Sequence, residues 1–415
     1  MNINNILFKQ KEELEHILSG KIVPRDVKTD IKKDIIKVIT GPRRSGKSTL
    51  ALILLKNEKF AYINFDEREL LDFDSISIEK ALKEVYGDFD YIILDEIQNY
   101  NKWELWANSL YRRGHNLIIT GSNARLLSKE LSTHLTGRYI PIELFPFSFK
   151  EVLYYFDFDL ENVNHLLEKQ GEILNILRDY MVIGGFPEIW VKNLDKEYLR
   201  TLFDNIVYKD IVLRWSVKYP EKVGDLARYF LDIVSNKYTL TKLKNILEFS
   251  SKVTIEKYIK YLEEAYLIFS LNKFSFKTKE ILRSPKKVYI VDNGFVTSFS
   301  LKNNIGSLME NIVFLALRRK YKENQELFYY QDPQGYEIDF LIKEGPKIKE
   351  LIQVTYASEF DEIAPREYRA LIRASEVFKG ARLSIITWDY EDQRVLEWWG
   401  KKALVRFVPL WKWLL

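Results

Sequence analysis

The stretch "VITGPRRSGKSTLALILL", from Val38 to Leu55, narrows the folds open to this chain more than any other feature. A β-branched run enters a turn holding two glycines, and an apolar helical pattern follows at once. Residues Gly41, Pro42, Arg43, Arg44, Ser45, Gly46, Lys47 and Ser48 fit the spacing G-x-x-x-x-G-K-S. The glycines let backbone N–H groups converge on a phosphate, and the next helix points its positive end at the same charge. Lys47 is suited to bridge β- and γ-phosphates, Ser48 to ligate Mg2+, and Thr49 to lie near the α-phosphate. The expected ligand is ATP with Mg2+; no N-K-x-D base-reading motif is present to favour GTP.

The surrounding text supplies the sheet such a loop needs. From Ile35 to about Phe149, "DIIKVIT", "KFAYINF", "DYIILDE" and "NLIITGS" read as four buried strands separated by helix-permissive sequence. That rhythm predicts a parallel sheet with helices on both faces. The third run ends in Asp95-Glu96. Asp95 is the candidate for the magnesium shell, and Glu96 for orienting or deprotonating the attacking water. Thr120, Ser122 and Asn123 end the fourth run and are candidates to sense the γ-phosphate, although Ser-Asn there is also an ordinary helix N-cap. Arg138, on the turn "HLTGRYI", is a candidate arginine finger for its own or a neighbouring subunit.

With these residues in view, the chain resembles a known group. "GPRRSGKST", "ILDEIQN", "TGSNARLL", "LTGRYIPIELFPFSFKE" and "GGFPE" are similar to the archaeal and bacterial AAA-type P-loop ATPases whose loop reads G-P-R-R-x-G-K. The resemblance spans nearly the whole chain and is strongest in its first half. It implies an ATPase joined to a winged helix and a C-terminal restriction-endonuclease-like domain. The expected fold is therefore α/β and multi-domain: a P-loop parallel-sheet ATPase domain over 1–155, a helical linker or lid over 156–220, a winged helix over 221–299, and a restriction-endonuclease-like α/β domain over 300–415.

The third of these segments is locally basic. Asn236 to Ile290 holds twelve Lys or Arg against five Glu and no Asp, a surplus of seven in a chain whose net charge is +4. In "VTIEKYIKYLEEAYLI", Ile255, Ile259, Leu262 and Tyr266 share one helix face, with Lys257 and Lys260 opposite and Lys252 at the start. Those three lysines are candidate contacts to double-stranded DNA; Lys277, Lys279, Arg283, Lys286 and Lys287 would crowd the wing. Solvation of a small domain explains the same lysines equally well. In the last segment Glu310, Asp339 and Gln353 resemble the metal constellation of restriction-like nucleases, a candidate second metal site. Gln353 stands where an acid is usual and Thr355 where a lysine is usual, which argues for a retained fold without cleavage.

Composition closes off several classes. The chain has no cysteine and only four histidines, scattered, which excludes disulfides, thiolate zinc sites and cysteine nucleophiles. Nothing reads as a signal peptide or a membrane span, so a cytoplasmic protein is expected. The leading expectation is an ATP-hydrolysing, Mg2+-dependent protein without membrane partners that couples nucleotide state to the later segments on DNA or within an oligomer. Two alternatives stand beside it: a nucleotide-dependent DNA- or protein-binding switch with little turnover, and an ATP-regulated DNA nuclease.

Overall fold

Five short runs in the first third of the chain pair side by side as one all-parallel sheet: β1 (Ile36–Thr40), β2 (Phe60–Asn64), β3 (Tyr91–Asp95), β4 (Asn116–Gly121) and β5 (Tyr139–Glu143). The order is β2-β3-β4-β1-β5. These features come from a computed structural model, which describes residues 2–27, 34–122, 137–300 and 304–415. Four of the strands are those expected from the sequence. The fifth, β5, was not, because "YIPIE" leaves its middle residues exposed and carries Pro141, as an edge strand can.

Helices cover both faces of this sheet. Alternate residues of β1 go opposite ways: Ile36 and Val38 join one apolar cluster, Ile39 the other. The first cluster takes Ile6 and Leu7 of α1 (Ile3–Ser19), Leu82 of α3 (Ser75–Tyr86) and Trp106 of α4 (Trp103–Arg112). The second takes Leu50 and Leu52 of α2 (Lys47–Leu54). Because β4 lies between β1 and β3, the strands carrying the phosphate loop and Asp95 are two strand spacings apart, roughly 10 Å.

The chain divides into two compact units. One comprises Met1–Phe147, Phe186–Asn193 and Glu264–Tyr266; the other comprises Ser148–Gly185, Leu194–Glu263 and Leu267–Leu415. In the second unit a three-stranded antiparallel sheet, β6 (Lys237–Tyr238), β7 (Ile268–Leu271) and β8 (Lys286–Ile290), runs in the order β6-β8-β7. It is accompanied by helices Pro220–Asp232, Leu240–Ile246 and Lys252–Glu264. The basic segment between β7 and β8 contains a short helix, Thr278–Arg283. Six further strands form a mixed sheet: β9 (Leu327–Gln331), β10 (Glu337–Glu344), β11 (Lys347–Val354), β12 (Arg382–Thr387), β13 (Asp392–Trp398) and β14 (Lys401–Pro409). Their order is β13-β14-β12-β11-β10-β9. β14 ends at Pro409, after which Leu410–Leu414 is helical.

The glycine pair of "GGFPE" is fixed by chemistry in the second unit. Gly184 has φ +79°, and a Cβ there would meet Asp292 Oδ1 at 1.7 Å. The amides of Gly185 and Gly294 donate to the two oxygens of Asp292 at 2.6 and 2.8 Å. Burial pushes the Asp292 carboxyl up to about 7, against the pull of those amides. Gly184→Ala is therefore expected to destabilise the protein by about 3 kcal/mol or more, through both the backbone and the clash. Urea unfolding followed by circular dichroism checks this; an unchanged midpoint would remove the clamp from the account.

Candidate active site

The phosphate loop leaves β1 at Thr40 and enters α2 at Lys47. Gly41 is required by close approach, since a Cβ there would stand 2.0 Å from the Leu144 carbonyl oxygen. Arg44, with φ +65°, and Gly46, with φ +91°, turn the chain through the left-handed region just before the helix. Arg25 braces the loop: its guanidinium donates to the carbonyls of Ser45 at 2.7 Å and Phe145 at 2.6 Å. Ser45 Oγ is buried inside the loop without a hydrogen-bond partner, an atom a phosphate oxygen would satisfy.

Lys47 is buried, and its ammonium lies 3.0 Å from the Pro42 carbonyl oxygen and 3.5 Å from Glu96 Oε1. Ser48 Oγ donates to Asp95 Oδ1 at 3.0 Å, so the first turn of α2 bridges the gap left by β4. Two adjacent oxygens of an octahedral Mg2+ shell lie about 2.9 Å apart, given Mg–O distances near 2.0–2.1 Å. The Ser48–Asp95 pair therefore fits the ion, which would supply charge neutralisation on the phosphates.

Asp95 is held by more than Ser48. Tyr62 donates to its Oδ2 at 2.6 Å, and Thr120 donates to its Oδ1. Burial and the charge of Glu96 push the Asp95 carboxyl up, and the hydroxyls of Thr120, Tyr62 and Ser48 only partly offset this. A bound cation would reverse that balance. Burial also opposes ionisation of Glu96, yet Lys47, the Gln98 amide, Arg43 and Ser122 together hold it below the usual glutamate range. Glu96 sits at φ +48°, a left-handed conformation for a non-glycine residue, and its N–H donates to Thr120 Oγ1 at 3.1 Å. Gln98 Nε2 reaches Glu96 Oε2 at 2.5 Å and Ser122 Oγ at 3.4 Å.

Several expectations about individual residues change here. Thr120 spends its hydroxyl on Asp95 and the Glu96 amide, so it orients the two acids and does not face a phosphate freely. Arg138 is not at the loop: its carbonyl accepts from Ile36 N at the opposite, N-terminal edge of the sheet. Roughly 16 Å of strand separates it from the loop, which excludes contact with a phosphate in its own subunit. Its guanidinium lies over the Tyr111 ring and donates to Asn108 at 3.3 Å. Arg43 faces Asp66 at 3.5 Å, and Arg44 faces Glu188 at 3.6 Å. Pro42 and Thr49 occupy the loop and the first turn of α2 as expected. Asn123 lies outside the described residues.

Sequence reading missed Arg25, Tyr62, Gln98 and Glu188. Gln98, two residues beyond Glu96, and Glu188, within "GGFPE", lay inside quoted motifs, and Tyr62 inside the strand run "KFAYINF", but nothing in those stretches marked the three as site residues.

Away from the loop, Lys252, Lys257 and Lys260 are all exposed, while Ile255, Ile259 and Leu262 are buried. Lys287 does not crowd an exposed wing. Its side chain is 3% exposed and lies among Glu310, Glu337 and Asp339. These residues and Gln353 line one cavity of about 580 Å³. Among the described residues no group of three or more His, Asp or Glu is placed to hold a metal ion, and no helix is long and apolar enough to cross a membrane.

Comparison with known proteins adds family matches, two relatives and one solved structure. The AAA domain family matches residues 33–153, and two domains of unknown function match 174–305 (DUF8612) and 305–403 (DUF4143). The uncharacterized protein MJ1544 of Methanocaldococcus jannaschii is 36% identical over 99% of this chain and 95% of its own length. An uncharacterized protein of Haemophilus influenzae is 33% identical over 79% of this chain and 84% of its own. Among solved structures, the Walker-type ATPase paby2304 of Pyrococcus abyssi aligns with a TM-score of 0.44 at 16% identity, over 70% of this chain and 94% of that one.

Proposed function

This chain belongs to the AAA-type P-loop ATPase family, whose AAA domain it matches over residues 33–153, and from that premise we propose that it binds ATP with Mg2+ and hydrolyses it to ADP and phosphate. Backbone amides of the loop from Gly41 to Gly46 would hold the phosphates, with Thr49 near the α-phosphate. Lys47 would leave Pro42 and Glu96 to neutralise the β- and γ-oxygens. Ser48 and Asp95 would hold Mg2+, while Glu96, released from Lys47, would orient the attacking water. Arg138 would serve a neighbouring subunit's nucleotide in an oligomer. The observation that carries this reading is the paired approach of Ser48 to Asp95 and Lys47 to Glu96 across an intervening strand.

The order of elements from Pro220 to Ile290, three helices and a three-stranded sheet with the short helix Thr278–Arg283 between β7 and β8, supports reading that segment as a winged helix. The exposed Lys252, Lys257 and Lys260 then offer duplex DNA a cationic helix face. Steady-state phosphate release, measured with and without duplex DNA, tests both parts. Turnover by the protein alone is expected, with DNA affinity falling as salt rises; engaging three phosphates gives a log–log slope of about −2.7. Absence of phosphate release with ATP-dependent DNA retention would favour the switch over the hydrolase. Salt-independent or undetectable DNA binding would remove DNA from the reading.

A further inference from the structure

The C-terminal carboxylates surround a positive charge supplied by this chain itself. Lys287 Nζ lies 3.0 Å from Glu310 Oε1, 2.9 Å from Glu337 Oε1 and 2.9 Å from Asp339 Oδ1. An ammonium has three N–H donors, and here three carboxylate oxygens meet them. The placement follows from strand alternation. Lys287 and Tyr289 of β8 point the same way, and Tyr289 also donates to Glu310 Oε1 at 2.8 Å. Glu337 and Asp339 sit two apart on β10, and Glu310 projects from the helix Ile305–Arg318.

Most of the remaining donors and acceptors are also committed. Glu337 Oε2 takes Lys237 at 2.5 Å, and Asp339 Oδ2 accepts from the Val354 amide at 3.0 Å. Gln353 accepts from the Asp339 amide at 3.3 Å and donates to Glu367, whose other oxygen faces Arg366 at 3.0 Å. Four carboxylates thus stand against Lys287, Lys237 and Arg366, which nearly balances the charge. Mg2+ asks for about six oxygens near 2.1 Å and Ca2+ for about six to eight near 2.3–2.6 Å, and here either would also have to share its position with an ammonium. The residues present do not fit a metal.

We propose that Lys287 is the resident counter-ion of this cluster, so that the C-terminal sheet takes no divalent metal and is held to β8 through the ammonium. The proposal is independent of the phosphate loop, and it removes metal-dependent DNA cleavage from the functions open to this domain.

Mn2+ binding to the nucleotide-free, full-length protein tests it, with free Mn2+ read by electron paramagnetic resonance. Wild type and Asp339→Asn are expected to titrate identically. Lys287→Met, which strips the ammonium from its carboxylates, is expected to melt about 10 °C lower. It should also gain one Mn2+ site at least about tenfold tighter than any in wild type. That site should vanish in Lys287→Met/Asp339→Asn, and Mn2+ should restore the melting midpoint of the single variant. A wild-type site lost in Asp339→Asn overturns the proposal, as does folded Lys287→Met that gains none. Should Lys287→Met not fold, the wild-type and Asp339→Asn titrations decide alone: identical curves uphold the proposal and a lost site overturns it.

Discussion

Replacing Lys47 with alanine is expected to lower ATP turnover by about a hundred- to a thousandfold, the effect of removing one preorganised cation or donor from a charged transition state. The side chain is buried at the start of α2, with its ammonium between the Pro42 carbonyl and Glu96. No other ammonium among the described residues lies within ion-pairing distance of Glu96. The same substitution leaves Glu96 buried beside Asp95 without its nearest counter-charge, so the variant should also bind ATP·Mg2+ poorly. A coupled assay of phosphate release checks the rate. Turnover within a factor of about three of wild type would be far too small a loss for this role.

Glu96→Gln separates binding from chemistry. The amide keeps the shape, and its oxygen can still accept from Gln98, so the loop and the Ser48–Asp95 pair remain as they are. What disappears is the negative charge that would orient or deprotonate water. Turnover is expected to fall by about 10²- to 10⁴-fold while ATP remains bound. Removing a like charge beside Asp95 relieves one of the influences that push that carboxyl up, so metal-nucleotide binding should be retained or strengthened. Filter-bound radiolabelled ATP, chased with unlabelled nucleotide, reads both properties. Rapid hydrolysis by the variant would transfer the role to another group.

How much of this was legible in the sequence follows from which contacts are local. Lys47, Ser48, Asp95 and Glu96 could be read because a loop between strand and helix, and acids at the end of an apolar strand, are short-range patterns. Arg25, Tyr62 and Glu188 could not, since each reaches the site from a separate stretch of chain. The insertion of β4 between β1 and β3 is likewise invisible along the chain, yet it makes Thr120 a support for Asp95. Arg138 looked available because a Gly-flanked arginine on a turn resembles a finger. Only the parallel register of β5 with β1 reveals that it sits at the far edge. β13 escaped because its residues are mostly exposed and show no apolar alternation. Lys287 read as one of a basic cluster; the signal that could have placed it was its two-residue spacing from Tyr289 in "KVYIV", which puts both on one face.

The central claim is that the turn from Gly41 to Ser48 grips a triphosphate with its metal. Calorimetric titration of ATP into the wild-type protein with Mg2+ present, run beside Lys47→Ala, tests it most directly. One saturable site per chain in the wild type, weakened at least about tenfold in the variant, is the result predicted here. Heats of dilution alone in the wild type, or equal affinity in both proteins, would contradict it.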